Sequence, residues 1–368
     1  MSLDRLRTLS IAEDIREAST LPAWVYSSPE VLAAAAERVF APSWQFIVDE
    51  RRLRLPGQTY PFTLLDGLLD EPLLFTRDAE DQLHCVSNVC THRGNLVCDG
   101  EGVEKYLRCR YHGRRFTLDG RFQAMPEFDQ ARGFPSEADH LPRVPFASWR
   151  GFLFTSLRPA VPLEALLHDV EARCGFLPLA EAAFDAGRSR EYIVRANWAL
   201  YCDNYLEGFH IPYVHAALTG ALDYGAYRTE LFHWSNLQVG IAADAEEAFD
   251  LPVGHPDHGQ RVAAYYWWLF PNTMLNFYPW GLSVNVVRPQ AADRTKVAFL
   301  AYVWDPSRLD RGAGSGLDRV EREDEAVVES VHRGIRSRLY ERGRYSPARE
   351  GGVHHFHRLL ASFLRENS

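Results

Sequence analysis

Two hydrophobic patterns divide the chain. From Trp44 to about Ser156, short apolar runs such as PLLFTRD (72–78), LHCVSNV (83–89) and GFLFTS (151–156) are broken by Gly and Asp turns, including Leu-Asp-Gly at 65–67 and at 118–120. Runs of this length and punctuation predict short strands joined by tight turns. From about Arg190 the runs lengthen to REYIVRANW (190–198), AYYWWLFPN (264–272), TMLNFYPW (273–280), LSVNVVRP (282–289) and KVAFLAYVW (296–304), which predict strands of an antiparallel sheet. The period then changes to that of a helix. Val320, Val327, Val328, Val331, Ile335 and Leu339 form one apolar stripe and predict a helix from about Leu317 to Tyr340.

Before the first strands, residues 10–43 read as helical, with Ser28-Pro29-Glu30 as a cap followed by proline and VLAAAAERVF running on to Pro42. RPAVPLEAL (158–166) is a proline-punctuated linker into a helical stretch. The organisation expected is an N-terminal helical arm over 1–43, a β-rich domain over 44–157 and an α+β domain over 158–368, its antiparallel sheet covered by helices. At 368 residues there is room for two cores.

A net charge of −9 without a Lys/Arg block excludes a nucleic-acid or anionic-membrane partner, and no apolar run reaches the length of a membrane span. With no signal-peptide pattern either, the chain is expected in the cytoplasm, where Cys85, Cys98, Cys174 and Cys202 stay free thiols.

The β-rich half holds Cys90-Thr-His92 and, after a gap, Cys109-Arg-Tyr-His112. The interleaved order Cys, His, Cys, His is a ligand set for a Rieske 2Fe-2S centre, with thiolates on one iron and imidazoles on the other. Neutral imidazoles remove negative charge, so the centre accepts electrons at a higher potential than an all-thiolate one. A zinc knuckle also uses two Cys and two His, but usually pairs like with like. Gly94 and Gly113 suit tight loops around such a centre.

Downstream, ALYCDNYLEGFHIPYVHAAL carries Glu207, His210 and His215. Five residues on a regular helix would point the two His about 140° apart. Pro212 ends or bends the helix between them, so both rings can turn to one point. Two His and a carboxylate with open positions form the facial triad of non-haem Fe(II) oxygenases. The acid is sought on the long helix, among Asp318, Glu321, Glu323, Asp324, Glu325 and Glu329. Asp324 shares the face of Val327, Val328 and Val331, whereas Glu323 and Glu325 fall to its sides, so Asp324 is the third ligand expected, with a neighbouring acid the alternative. His354, His355 and His357 are read as fixing the C-terminal segment to the sheet.

With both motifs present, the chain resembles the Rieske non-haem iron oxygenases, oxygenase (alpha) subunits. Rieske proteins of the respiratory complexes carry a further Cys after each pair, where this chain has Asn95 and Arg114. The second site follows the family's pattern through Asn197-Trp198, Asp203-Asn204, Glu207, His210 and His215, and departs from it at Ala199, where many relatives have Lys. The resemblance implies a Rieske 2Fe-2S domain, a helix-grip (START-like) catalytic domain with mononuclear Fe(II), and a homotrimer in which Glu207 links His112 of one subunit to His210 of the next. Asp203 and Asn204 are carried over as catalytic residues with it.

The chain has no dinucleotide fingerprint, so a separate NAD(P)H flavin/iron-sulfur reductase is the implied electron donor. The aromatic stretch Tyr265, Tyr266, Trp267, Trp268, Phe270, Phe277, Tyr278 and Trp280 is similar to the branch that acts on quaternary ammonium compounds such as choline, glycine betaine and carnitine. Aromatic rings attract a methylated cation, and they also fill cores. Hydroxylation or N-demethylation of such a substrate is the reading expected. Attack on an aromatic acid by a dioxygenase or demethylase is the alternative, and a Rieske electron carrier with an attached second domain is the alternative of another class.

Overall fold

The computed structural model describes residues 4–215, 222–243 and 246–365. Two compact units appear, one running from Ala41 to Ala160 and the other made of the segments before and after it. The first unit extends a few residues beyond the expected 44–157, because Arg158 N–H and Ala160 N–H bond back to the carbonyls of Ala41 and Pro42 and tie its two ends together.

The Ala41–Ala160 unit contains three small antiparallel sheets. β1 (Gln45–Asp49) pairs with the last strand of the unit; β2 (Gln58–Leu64), β3 (Glu71–Arg77), β4 (Leu83–Ser87) and β5 (Gly102–Val103) form a second sheet; β6 (Leu107–Arg108), β7 (Arg115–Phe116) and β8 (Phe122–Ala124) form a third. β9 (Phe146–Trp149) and β10 (Phe152–Thr155) complete the sheet of β1. The consecutive run Leu73, Leu74 and Phe75 is wholly buried, so β3 is covered on both faces. Leu74, Val86, Leu107 and Phe116 pack with Cys90 and Cys109 in one core, which seats the two sulfurs among apolar side chains.

The other unit is built on a seven-stranded antiparallel sheet, the α+β arrangement expected. Its strands are β11 (Ala183–Val194), β12 (Arg228–Leu231), β13 (Ser235–Ile241), β14 (Val262–Leu269), β15 (Thr273–Tyr278), β16 (Gly281–Ala291) and β17 (Arg294–Val303), in the order β11-β17-β16-β15-β14-β13-β12. Sequence patterning misses β12 and β13. β13 is almost entirely buried yet carries Ser235, Asn236 and Gln238, whose polarity hides the strand period. Those side chains are satisfied across elements: Asn236 donates to the Gly352 carbonyl and Gln238 to the Tyr205 carbonyl.

Three helices matter for the site: Trp198–Tyr205, capped by the Asn197 side chain, Leu317–Gly334, and Gly351–Arg365. The second stops at Gly334 and not at Tyr340; glycine is a poor helix former, and Leu339, the last member of the expected stripe, is 98 % exposed. The N-terminal arm is also less helical than its composition predicts. Its helices are Asp4–Arg7, Ala23–Ser27 and Pro29–Ala35, the last continued by a π-helical turn over Ala36–Phe40 as the run toward Pro42 predicts, while Asp14 draws the chain into a turn by accepting from Arg16 N–H at 2.9 Å. The arm packs on the C-terminal helix: Arg38 donates to the Leu364 carbonyl at 2.6 Å and His354 meets the Ala12 carbonyl at 2.8 Å.

Candidate functional site

The Cys90 and Cys109 loops are built alike although their Cys–His spacings differ. In each, the residue four after Cys is a glycine with positive φ, Gly94 at 73° and Gly113 at 74°. Each glycine N–H returns to its cysteine carbonyl at 3.0 Å, and each cysteine N–H donates to the residue five on, Asn95 and Arg114. A side chain at φ near +70° is strained, which is why both positions hold glycine. The loops bring His92 and His112 together with ring centroids 4.8 Å apart. Both cysteines are buried and free, and His112 Nδ1 is a buried nitrogen without a hydrogen-bond partner. Burial, followed by the charges of His112 and Arg114, holds the His92 imidazole below its ordinary pKa, the direction that favours the neutral ring a metal would need. Two thiols and two imidazoles in this setting fit a 2Fe-2S centre. Asn95 Nδ2 lies 3.7 Å from Cys109 Sγ, a donor to a cluster sulfur of the kind that raises a potential.

In the second unit the helix after Asn197 ends at Tyr205, before either His, and a separate helical turn, Ile211–Val214, lies between His210 and His215; Pro212 sits in the first turn of it and does not end a helix between the two as expected. The ligand atoms of His210, His215 and Asp324 all lie within 4.8 Å of one another. Asp324 Oδ1 is 3.0 Å from His215 Nε2 and 3.4 Å from His210 Nε2. The opposite nitrogens are held by carboxylates: His210 Nδ1 by Glu207 at 2.7 Å and His215 Nδ1 by Glu323 at 2.9 Å. Asn204 Nδ2 donates to Asp324 Oδ1 at 2.6 Å. Each imidazole thus has one nitrogen anchored and the other aimed at the shared point, the orientation that outer carboxylates impose on metal-binding histidines.

The carboxylates around the two imidazoles favour positive charge at this point. Burial works to lower the His210 pKa, but Asp324 and Glu207 outweigh it and hold it at about 9. Burial likewise works to raise Asp324, and the bonds from His210 and His215 hold it below the ordinary carboxylate value. Two imidazoles and a carboxylate with this geometry fit a mononuclear Fe(II).

Beside the triad is a cavity whose floor is one cross-strand row. Gln238, Tyr266, Asn276, Ser283 and Ala301 face one another in register across β13, β14, β15, β16 and β17. The first three floor an inner chamber against the triad, the last two an outer chamber of about 550 Å³, and Asn276, Tyr278, Leu317 and Glu321 line both. Among the described residues lining the inner chamber there is no Arg or Lys.

Several expectations are corrected. Asp203 does not line this cavity; its carboxylate accepts from Tyr26 at 2.9 Å and meets His357 at 2.7 Å, joining the N-terminal arm to the C-terminal helix. Of the aromatic stretch, only Tyr266 and Tyr278 reach the inner chamber. Strand alternation sends Tyr265 to Asp257 and Trp267 to Cys174, while Trp268 packs on Phe356. The missing rings come from Tyr201 and Tyr205, a helical turn apart beside Asn204, and from Tyr227. Glu321 and Glu323 were candidate iron ligands in the sequence; the structure puts the first in the cavity wall and the second behind His215.

Two family models match the chain: the Rieske [2Fe-2S] domain over residues 43–136 and the ring hydroxylating alpha subunit (catalytic domain) over 181–366. The chain belongs to the ring-hydroxylating alpha subunits of the Rieske oxygenases. As a member it is an oxidoreductase with a Rieske 2Fe-2S centre and mononuclear iron. It is 30 % identical to the chloroplastic choline monooxygenase of Arabidopsis thaliana, over 95 % of this chain and 84 % of that one. Identity to the carnitine monooxygenase oxygenase subunit of Escherichia coli (strain K12) is 28 %, covering 95 % of each. In fold it is similar to the quaternary ammonium Rieske monooxygenase CntA, with a TM-score of 0.77 at 24 % identity over 99 % of this chain and 98 % of that one. Naphthalene 1,2-dioxygenase of Rhodococcus sp. gives a TM-score of 0.75 at 19 % identity, covering 95 % of both chains.

Proposed function

We propose that this Rieske oxygenase hydroxylates or N-demethylates a small quaternary ammonium compound, with electrons from a separate NAD(P)H-dependent flavin/iron-sulfur reductase. The observation that carries the reading is the inner chamber: Tyr201, Tyr205, Tyr227, Tyr266 and Tyr278 with the carboxylate of Glu321, and no Arg or Lys among the described lining residues. Such a wall attracts a methylated cation, at about 0.5–2 kcal/mol per ring, and offers the carboxylate of an aromatic acid no charged partner beside the triad. The names of the choline and carnitine relatives point the same way.

In this reading Cys90, His92, Cys109 and His112 hold the 2Fe-2S centre, and His210, His215 and Asp324 hold the iron. Bound there, the two groups supply single electrons and the activation of O2. The chain's own part is positional. Glu207 and Glu323 keep the imidazole Nδ1 atoms anchored, Asn204 fixes the Asp324 carboxylate, and the tyrosines place a methyl C–H of the substrate toward the triad and displace water. One oxygen atom inserted at a methyl beside nitrogen gives a hemiaminal, which releases formaldehyde.

The subunits would assemble as a homotrimer, with Glu207 between His210 of its own chain and His112 of the neighbour. Its Oε1 contact with His210 Nδ1 and the exposure of Tyr111, stacked on His112, support that role. No described helix is long and apolar enough to cross a membrane. Six unpaired cysteines suit a reducing compartment, so we place the enzyme in the cytoplasm.

The test supplies reductase and NADH with a panel of methylated amines and aromatic acids and follows O2 uptake together with formaldehyde. O2 uptake with a betaine, carnitine or choline is expected, accompanied by formaldehyde where the reaction is N-demethylation; uptake only with an aromatic acid overturns the reading. Replacing Asp324 with Ala should leave about two irons per chain where the unaltered enzyme has about three.

A further inference from the structure

Glu321 is the one residue of the inner chamber whose charge the rest of the site leaves unanswered. It sits a helical turn before Asp324 on Leu317–Gly334, so the two carboxylates share a face of the helix. Its Oε2 accepts from Tyr201 Oη at 2.7 Å, and the other charged groups acting on it are the carboxylates of Asp324, Glu325 and Asp318. Among the described residues, no Arg, Lys or His forms an ion pair with it. Glu207, Glu323 and Asp324 each have a histidine; Glu321 has only a phenol. Burial, and then the neighbouring Asp324 carboxylate, push the Glu321 pKa well above the ordinary carboxylate range, so its ionised form costs free energy until a cation arrives to pair with it.

The surrounding tyrosines say what kind of cation that is. Tyr201 is bonded to Glu321, Tyr205 to the Trp267 carbonyl at 3.1 Å and to Asn276, and Tyr227 to Gln238 at 3.2 Å. Each hydroxyl donates to a protein acceptor, so none has a proton left to give an anion, and what the three add for a cation is their rings. Primary and secondary ammonium groups need acceptors for their N–H bonds, whereas a quaternary nitrogen has none to satisfy.

We propose that Glu321 is the specificity-determining residue of this site, the counter-charge that receives a quaternary ammonium head between the tyrosine rings and holds it one helical turn from Asp324. Resting on the substrate class argued above, this names the residue that enforces it. The inner chamber takes the head, and the outer chamber, reached past Glu321 and Tyr278, takes the remainder of the molecule.

The experiment is calorimetric binding of choline, glycine betaine, carnitine and 3,3-dimethylbutanol, the uncharged carbon isostere of choline, to the iron-loaded oxygenase and to Glu321→Gln. The unaltered enzyme should bind choline at least tenfold more tightly than the isostere. Glu321→Gln should lose that preference on the order of 10- to 100-fold, with affinity for the isostere and iron content unchanged. Glu321→Met, of similar length and also uncharged, is measured in parallel and decides if the amide variant does not load iron. A variant that is iron-loaded and keeps the preference within twofold overturns the inference alone. An unaltered enzyme that binds none of the three ammonium compounds overturns the substrate class as well.

Discussion

Arg114 holds one of the two cluster loops, and its removal should cost the cluster before it costs the fold. The residue is 2 % exposed. Its Nη2 donates to Asp139 Oδ1 at 2.6 Å and to the Asp139 carbonyl at 3.1 Å. The guanidinium carbon lies 5.0 Å from the Phe122 ring, 5.5 Å from Phe134 and 5.6 Å from Phe116. The same residue's carbonyl accepts Cys109 N–H at 2.9 Å, so the side chain that fixes Arg114 also fixes the ligand loop. At this place the respiratory Rieske proteins have a disulfide cysteine, and here an ion pair between the buried Arg114 and the part-exposed Asp139 braces the loop instead.

Breaking a buried pair from one side costs about 3–5 kcal/mol, because the remaining partner stays desolvated. Ser136 still donates to Asp139 in the variant, which puts Arg114→Ala toward the lower end of that range. For a unit of this size each kcal/mol moves the midpoint by roughly 3–5 °C, so loss of the cluster's visible absorbance on heating should come about 10–15 °C earlier. Arg114→Met with Asp139→Asn removes both charges and should recover at least about 1 kcal/mol relative to the sum of the single changes. A shift under about 3 °C for Arg114→Ala, or strict additivity in the double variant, would refute the brace.

Three further outcomes follow from the same coordinates. Glu323→Ala leaves His215 Nδ1 without its acceptor and should weaken mononuclear iron binding roughly 10–100-fold, read by iron titration; unchanged affinity sinks the assignment. His355, bonded to Asn236, is held down at about 4 by burial, with Arg358 adding to it. The unfolded chain titrates near 6.5 and binds the extra proton between the two values, so stability is full above about pH 6.5 and falls by at most about 3 kcal/mol as pH drops to about 4. Glu or Gln would not titrate so: His355→Gln should flatten that part of the denaturant-midpoint profile, and an unchanged slope counts against the cause. Phe356 is fully buried against Trp198 and Trp268, at 5.8 and 5.2 Å between ring centroids, so Phe356→Ala should lose about 3–5 kcal/mol in denaturant unfolding, and a loss under about 1 kcal/mol contradicts the packing.

The sequence by itself put forward the candidate ligands. Metal chemistry demands particular side chains at short spacings, so Cys90-x-His92, Cys109-x-x-His112 and His210 to His215 are legible without coordinates, while helical phase and the family resemblance together favoured Asp324 over its acidic neighbours. The strands β14, β15, β16 and β17 were legible too, since a buried sheet writes its period into apolar residues. What only the tertiary structure decided was which polar groups meet across the fold. Asp203 went to His357 and Tyr26, Glu323 to His215 and Glu321 to the cavity wall, because each choice depends on an element more than a hundred residues away that no local pattern encodes. β13 stayed hidden for the same reason: its Asn236 and Gln238 are polar residues made compatible with burial by partners at Gly352 and Tyr205. Local periodicity reports how a segment sheds water, whereas a site is assembled from distant segments whose compatibility is settled only when they touch.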